Sequence, residues 1–141
     1  MATLDDQIIS QIKRDEGLSL KLYYDTMGNV SIGYGRNLTA NGIRQDEADL
    51  MVQNDYLQAK RLTGAALPWA ASLADPRYAV LVEMAFNMGI LGLLGFHVML
   101  GALQAGDFQA AAAAMLNSEW AKQVGDRAAR LSQQMETNSW V

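Results

Sequence analysis

The chain lacks cysteine altogether and contains a single histidine, His97. Without cysteine there is no disulfide framework, no thiolate chemistry and no cysteine-ligated zinc. One histidine without cysteine also argues against a dedicated transition-metal site. We therefore predict neither a metal nor a cofactor. His97 lies in an apolar stretch, which favours a packed or surface residue over a ligand or a base.

Basic residues are scarce as well. The 141 residues include 11 Lys and Arg against 15 Asp and Glu, and the net charge is −4. This balance argues against a protein whose main task is to grip nucleic acid or an anionic surface. Half of the residues are apolar and 18% are charged, which is typical of a globular chain. The length favours one domain that buries about two-thirds of its unfolded surface.

The sequence also has little that suggests a leader or a membrane anchor. The N-terminal MATLDDQ is acidic and lacks a basic region before an apolar core, so we predict no signal peptide and synthesis in a cytoplasm. The longest apolar stretch, residues 79–103, is interrupted by Glu83, Asn87 and several glycines. These interruptions favour a buried helix over a membrane span. A buried Glu83 would need a partner, for which Arg127 is a candidate.

Helical spacing of apolar residues covers most of the chain. Thr3, a candidate N-cap with Asp6 three residues later, begins a predicted helix that ends against Gly17. Asp75-Pro76 predicts another start, with Asp75 as the N-cap and Pro76 at the first helical position. Further helices are predicted over about 44–62, 93–104, 107–119 and 126–136.

One segment changes from helical to alternating spacing. Apolar and polar residues alternate over 18–22, a turn follows at 27–29, and alternation resumes at 30–32, which predicts a β-hairpin. A three-residue loop would place Asp25 directly across from Ser31 on the same face, whereas a two-residue loop would place them on opposite faces. A small sheet among helices predicts an α+β, mostly helical fold.

Three polar side chains of this segment, Glu16, Asp25 and Ser31, have a chemically informative spacing. Hydrolysis of a glycosidic bond by direct water attack needs one acid that protonates the departing oxygen. It also needs a second carboxylate that activates a water on the opposite face of the sugar, and a nearby hydroxyl can help to hold that water. Each residue also has a plainer interpretation, as a solvated helix end, a turn cap or a strand serine.

The run DEGLSLKLYYDTMGNVSIGYGRNLT resembles the signature of the phage lysozymes of glycoside hydrolase family 24, of the T-even coliphage type. That signature has a Glu, eight residues, an Asp, five residues and a Thr, and Ser31 stands here in place of the usual Thr. AFNMGILGLLGF resembles the buried helix and cleft edge of the family. SEWAKQVGDRAARL resembles its C-terminal Trp and Arg-x-x-Arg segment, followed by Trp140 near the end. The three segments keep the family's order and span nearly the whole chain.

The resemblance implies a lysozyme-like fold of two lobes joined by a long helix, within a single domain of residues 1–141. The small sheet-containing lobe would cover about residues 14–60, and the helical lobe about 1–13 and 61–141. The cleft between such lobes binds the peptidoglycan strand of alternating N-acetylmuramic acid and N-acetylglucosamine.

The activity implied by the resemblance is that of a muramidase, a glycoside hydrolase of the lysozyme class. It would cleave the β-1,4 bond between N-acetylmuramic acid and N-acetylglucosamine with inversion. Glu16 would be the general acid, and Asp25 and Ser31 would position and activate the water. Inversion requires the two carboxyl groups to lie about 6.5–9.5 Å apart. The resemblance implies no cofactor.

Supporting residues are implied in the same way. Arg127 matches the arginine that pairs with the catalytic Glu, and Arg130 the one that pairs with the preceding Asp, here Asp15. Apolar surroundings would favour the protonated form of Glu16, whereas a nearby arginine would favour its carboxylate. The substrate-binding residues implied are Asn37, Asn87, Met88 and Glu119.

Four positions depart from the family pattern. Ser31 keeps the hydroxyl but lacks the methyl group that restricts χ1 in Thr. Arg36 stands where His is often found, and Arg44 replaces the usual Ser or Thr cap of the helix after Gly42-Ile43. Glu119 replaces a position that is basic in some members, which would weaken contact with an anionic wall.

Two alternatives and the biological setting remain open. The chain could be a wall-glycan-binding relative with reduced activity, or a lytic transglycosylase that forms an anhydro product without water. We expect a monomer that acts on peptidoglycan, binds no nucleic acid and does not insert stably into membranes. We expect it in the host cytoplasm before a holin allows release to the wall or periplasm, for host-cell lysis. Carriage in the virion, for penetration of the wall at infection, is the other route.

Overall fold

The structure, a computed structural model, describes residues 1–141 and is α+β and mostly helical, as predicted. The chain has eight α-helices, one 3₁₀ helix and one small antiparallel sheet with the strand order β1-β2-β3. The elements are α1 (Leu4–Glu16), β1 (Ser19–Tyr24), β2 (Val30–Gly33), β3 (Arg36–Asn37), α2 (Leu38–Asn41), α3 (Gln45–Ala66), a 3₁₀ helix (Pro68–Ser72), α4 (Asp75–Leu94), α5 (His97–Gln104), α6 (Phe108–Leu116), α7 (Glu119–Val124) and α8 (Asp126–Thr137).

The contacts divide the chain into two compact units, Met1–Leu50 and Met51–Val141. The first unit contains α1, the sheet, α2 and the first residues of α3, and the second contains the rest of α3 and all later helices. The boundary therefore lies inside α3. The predicted lobes, residues 14–60 against 1–13 and 61–141, stay a prediction.

Helix α1 begins with the predicted cap. The Thr3 hydroxyl accepts the N–H of Asp6 at 3.1 Å, and the Asp6 carboxylate accepts the N–H of Thr3 at 2.9 Å. The Thr3 hydroxyl also donates to the Asp6 carboxylate at 2.9 Å, and the two bonds that this carboxylate accepts lower the pKa of Asp6, the one from the backbone N–H of Thr3 most. The helix ends at Gly17, where φ is 73° and the N–H donates to the carbonyl of Lys13 at 3.0 Å. Local rules therefore set both ends of α1.

The first unit buries very little. None of the α1 residues is buried, and its apolar stripe stays about half exposed at Ile8, Ile9 and Ile12. Ser31, with 4% of its surface exposed, is the only buried residue among the first fifty. The one buried side chain of this unit therefore carries a hydroxyl group and is not apolar.

The hydrophobic core lies entirely in the second unit. Val80, Leu81 and Met84 of α4 have no exposed surface, and α5, α6 and α8 cover them with further buried residues. These include Met99, Leu103, Ala111, Met115, Leu131 and Met135. Burial of this size is the main term that stabilises the fold.

Helix α4 is long and apolar enough to cross a membrane by length and composition, with a mean hydropathy of 1.4. In the structure it contributes six buried residues to the core, but Phe86 and Leu91 stay exposed, so the helix is less completely buried than predicted. Gly89 interrupts it with φ 82° and ψ 162°, a left-handed conformation that glycine tolerates. Glu83, expected to be buried, is exposed instead, because it lies on the face of α4 turned away from the core.

Several predicted helix limits are corrected. Asp75 is the first residue of α4 rather than its N-cap, because the carbonyl of Ala74 already accepts the N–H groups of Arg77 and Tyr78. The helix predicted over 107–119 ends at Leu116, and α7 starts anew at Glu119. Ser118 caps α7 by accepting the N–H of Ala121 at 3.1 Å.

Arg77, in the first turn of α4, binds the C-terminal end of α8. Its guanidinium donates to the carbonyls of Met135 at 2.6 Å and Glu136 at 2.8 Å. The same group lies 3.5 Å above the ring of Phe108. The last carbonyls of a helix have no partner inside it, so a cation there both satisfies them and complements the helix dipole.

We expect Arg77→Met to lower the free energy of unfolding by about 2 kcal/mol, because two charge-assisted hydrogen bonds and a cation–π contact are lost together. Denaturant unfolding followed by circular dichroism measures the change. Arg61→Met is the control, since Arg61 bonds only the nearby exposed Gln58. Equal losses in the two variants would contradict the anchoring role.

Candidate active site

Glu16 is the last residue of α1 and is exposed. Its carboxylate lies against the turn between β2 and β3: a Cβ atom on Gly35 would come within 3.0 Å of Oε2, and φ at Gly35 is +82°. One turn earlier on the same helix, the ammonium of Lys13 lies 5.5 Å from the centre of the Tyr34 ring. The end of α1 and this turn therefore hold Glu16 beside the sheet.

The Asp25 carboxylate lies at the end of β1 and is fixed by the hairpin turn. Its Oδ1 accepts the backbone N–H groups of Met27 and Asn29, both at 2.9 Å. The N–H of Asp25 donates in turn to the carbonyl of Asn29 at 2.9 Å. The bond from the Asn29 N–H contributes most to lowering the pKa of Asp25, and it outweighs burial, which acts in the opposite direction. Hydrogen bonds to a carboxylate favour its charged form.

Ser31 lies in the middle strand, paired with Tyr23 of β1 and Asn37 of β3. Tyr24 pairs with Val30, so the connection runs from Asp25 to Asn29. Neither register considered from the sequence is observed, because Ser31 lies across from Tyr23 and the backbone of Asp25 bonds that of Asn29. Asp25 lies two residues beyond the partner of Ser31, so the two share a face and are diagonal neighbours rather than directly opposed.

The three predicted catalytic residues thus belong to one unit and to adjoining elements. Strand β2 carries Ser31, its outgoing turn contacts Glu16, and its incoming turn bonds Asp25. The arrangement offers an exposed carboxyl group, a carboxylate kept charged by two amides, and a buried hydroxyl. Such a set can supply a proton on one side and orient a water on the other.

Two further predicted residues of the first unit have structural partners. Asn37 caps α2, with its Oδ1 accepting the N–H of Ala40 at 3.0 Å, and it is the strand partner of Ser31. Asp15 accepts a hydrogen bond at 3.0 Å from Nε of its neighbour Arg14. The predicted pairings of Asp15 with Arg130 and of Glu16 with Arg127 join residues of different units and stay predictions.

In the second unit, Asn87 is tied to the tryptophan of the C-terminal segment. Its Oδ1 accepts the indole N–H of Trp120 at 2.9 Å, and Phe96 meets the same indole edge-on at 6.0 Å. Asn87 itself is exposed, and the amide NH₂ group keeps its donors available. Met88 is half-buried, and a Cβ on Gly92 would come within 2.6 Å of its Cγ.

Glu119 and the two arginines lie elsewhere in this unit. Glu119, in the first turn of α7, accepts a hydrogen bond from Lys122 at 2.9 Å. Arg127 and Arg130 line a groove of about 810 Å³, whose walls also contain Glu83. The aromatic residues of the groove are Tyr56, Tyr78, Phe86 and Trp140. Arg127 and Glu83 share this groove without forming an ion pair.

Sequence reasoning missed one contact of the first unit. Arg36 donates to both carboxylate oxygens of Glu47, at 2.7 and 2.6 Å, and also to the carbonyl of Gly42 at 3.2 Å. The sequence offered only an indirect signal: Arg36 stands where the family often has His, and Arg44 stands where it usually has the Ser or Thr that caps the next helix. The structure has no cluster of three or more His, Cys, Asp or Glu side chains suited to a metal ion.

Comparison with known proteins gives a family match that agrees with this geometry. The family model described as "Phage lysozyme" matches residues 13–137. The chain belongs to the phage lysozyme family. The matched span includes Glu16, Asp25 and Ser31, and it ends with the last residue of α8.

Two relatives show the range of this family. The pre-baseplate central spike protein Gp5 of Enterobacteria phage T4 is 31% identical over 150 residues, which cover 86% of this chain and 26% of that protein. An endolysin of Acyrthosiphon pisum secondary endosymbiont phage 1 is 29% identical over 119 residues, covering 82% of this chain and 80% of that protein. This phage lysozyme family member thus spans about a quarter of the spike protein's length and most of the endolysin's. The family match and the endolysin support a glycosidase of the lysozyme type.

We expect Gly35→Ala to displace the Glu16 carboxylate by a few tenths of an ångström, because the new methyl group would lie 3.0 Å from Oε2. Gly33→Ala is the matched control: φ is also positive there, at +69°, but nothing lies within 4 Å of the new Cβ. Both variants should lose about 1 kcal/mol of stability from backbone strain.

Only Gly35→Ala should move the Glu16 side chain, measured by comparing crystal structures of the two glycine variants with that of the wild type. An unchanged Glu16 carboxylate position in Gly35→Ala would show that Gly35 does not constrain Glu16.

Proposed function

We propose that the chain is a muramidase that hydrolyses the β-1,4 bond between N-acetylmuramic acid and N-acetylglucosamine in bacterial peptidoglycan, with inversion at the anomeric carbon. The observation that carries this proposal is the Asp25 carboxylate held by two backbone amides, two residues past the strand partner of the buried Ser31, in the unit that also presents Glu16. Family membership supports the same chemistry.

Glu16 acts in this proposal as the general acid. It has an exposed carboxyl group at the end of a helix, and the turn at Gly35 limits where that group can lie. When the glycan is bound, Glu16 donates its proton to the glycosidic oxygen as the bond to the anomeric carbon breaks.

Asp25 and Ser31 act on the attacking water. The amides of Met27 and Asn29 lower the pKa of Asp25, which suits a base or a charge stabiliser and not an acid. The Ser31 hydroxyl can donate to and accept from the same water. Water attack from the face opposite Glu16 requires a separation of about 6.5–9.5 Å between the carboxyl groups. The proposal therefore assigns the role of the acid to Glu16 and that of the base to Asp25.

Residues other than Glu16, Asp25 and Ser31 would bind the glycan or support the catalytic side chains. Asn87 keeps two amide donors while its oxygen holds Trp120, so it is suited to the acetamido oxygen of a sugar. Arg127 and Arg130 would support Glu16 and Asp15. Asn37, Met88 and Glu119 complete the proposed substrate-binding set.

The relatives suggest two settings for this activity. The similarity to an endolysin favours release of a monomer from the host cytoplasm to the wall or periplasm through a holin lesion during lysis. The similarity to Gp5 favours carriage in the virion and cleavage of the wall at infection. Detection of the chain in purified virions would favour the second setting.

The test combines wall clearing with product analysis. The wild type should clear permeabilised bacteria, and Glu16→Gln and Asp25→Asn should each slow clearing by about 10³-fold or more, because an essential proton or charge is removed. Asp5→Asn, an exposed carboxylate of α1, is the control and should clear normally.

Mass spectrometry of the released muropeptides identifies the reaction. Reducing N-acetylmuramic acid ends that carry one ¹⁸O from labelled water support hydrolysis. Anhydro-muramic ends would assign the chain to the lytic transglycosylases instead, and binding to walls without any clearing would assign it to the glycan-binding modules.

At position 31, we expect the reaction rate to depend on the hydroxyl group and not on the additional methyl group of threonine. Ser31→Thr should keep or raise the rate, since threonine retains the hydroxyl with a stiffer χ1. Ser31→Val, which has the same shape as threonine without the oxygen, should lower kcat about 10²-fold. Initial rates on purified wall measure both. A valine variant as active as the threonine variant would exclude a role for the hydroxyl.

A further inference from the structure

We infer that the ion pair between Arg36 and Glu47 is the positioning device for the Ser31 hydroxyl. The inference rests on the proposed function, because it assigns to these two residues a part in orienting the water that Ser31 and Asp25 hold. Neither side chain is expected to touch the substrate. They act through the segment 36–42, here called the brace.

The pair has a geometry that exposed ion pairs rarely keep. Two nearly parallel bonds of 2.7 and 2.6 Å join the guanidinium and the carboxylate, and each side chain is 36% exposed. Glu47 Oε1 also accepts the backbone N–H of Arg44 at 2.8 Å. The bond from Arg36, followed by that from Arg44, lowers the pKa of Glu47 to about 2. A bidentate, partly buried pair restrains orientation far better than a single solvated contact.

The brace contacts strand β2 at Ser31 and on both sides of it. Asn37 is the strand partner of Ser31 and Arg36 that of Ile32. Thr39 Oγ1 accepts the N–H of Val30 at 2.9 Å. Three consecutive residues of β2, centred on Ser31, are therefore held by one short segment.

The brace needs an external restraint because it is short. Strand β3 has two residues and α2 has four, and elements of this length are not stable alone. Arg36 at one end of the brace donates to the carbonyl of Gly42 at its other end and to Glu47 on α3. The pair thus closes the brace on itself and fastens it to the first turn of a long helix.

Strand β1 lies on the other side of β2 and also pairs with it at Ser31, through Tyr23. The register between the two strands shifts between Ser19 and Tyr23, and such irregularities let a strand bend. The lateral position of Ser31 therefore depends on the brace as well as on β1.

A second ion pair in the same region provides a control. Arg44 and Asp46 also form two bonds, at 3.1 and 3.0 Å, but they are two residues apart and their side chains are 76% and 66% exposed. This pair joins neighbours at the start of α3, where Asp46 Oδ1 also accepts the backbone N–H of Glu47 at 3.1 Å, and neither of its side chains bonds β2. Its loss removes the same kind of interaction without releasing the brace.

The experiment compares Glu47→Gln with Asp46→Asn in a steady-state assay on a soluble glycan fragment. We expect Glu47→Gln to lower kcat about tenfold, with KM changed less than twofold, because a displaced hydroxyl affects the reaction and not ground-state binding. Asp46→Asn should leave both parameters unchanged. The exchanged pair, Arg36→Glu with Glu47→Arg, should recover at least part of kcat.

A double-mutant cycle distinguishes positioning from general destabilisation. In a Ser31→Ala background, Glu47→Gln should have no further effect on kcat, since the hydroxyl that it positions is gone. The same tenfold loss in both backgrounds, or a change in thermal stability alone, would overturn the inference.

Failure of the proposed function is recognised separately. If the wild type is no more active than Glu16→Gln, the muramidase assignment fails, and the brace is then tested by amide hydrogen exchange. Glu47→Gln should speed exchange at Val30 and Ile32 relative to Asp46→Asn. Equal protection in these two variants would show that the pair does not hold β2.

Discussion

The two hydrogen bonds from Met27 and Asn29 to the Asp25 carboxylate constrain the rest of the candidate site. They fold the residues between β1 and β2 into a five-residue connection, and this connection sets the strand register. The register in turn places Ser31 on the face that carries Asp25. The same bonds stabilise the charged form of Asp25, so one local interaction fixes both the position and the charge of the proposed water-activating group.

The apolar core that stabilises the protein and the proposed catalytic residues belong to different units. Apolar burial is concentrated in the second unit around α4, where Leu81 and Met84 are fully enclosed. The first unit buries one residue, Ser31, and relies on caps, turns and an ion pair to hold its shape. Polar interactions are directional, so they can orient a hydroxyl and two carboxyl groups in a way that apolar contacts cannot. The cost is that each of these interactions contributes little to the total stability.

Much of the architecture could be predicted from local patterns. The capping box at Thr3, the stop at Gly17 and the hairpin around residues 27–29 depend on residues within four positions of each other, and all are observed. The prediction failed where competing neighbours decided the outcome. Asp75 entered the helix because Ala74 accepted the first bonds, and Glu83 stayed exposed because α4 turned another face to the core.

The sequence by itself determined the family, the mostly helical α+β class and the spacing of Glu16, Asp25 and Ser31, since these follow from residue order and from short-range chemistry. Only the tertiary structure decided which side chains meet. The five-residue connection, the contact of Glu16 with Gly35 and the pairing of Arg36 with Glu47 each depend on how separate segments approach one another. No periodic pattern encodes such an approach, because it results from the packing of the whole unit and not from any one segment.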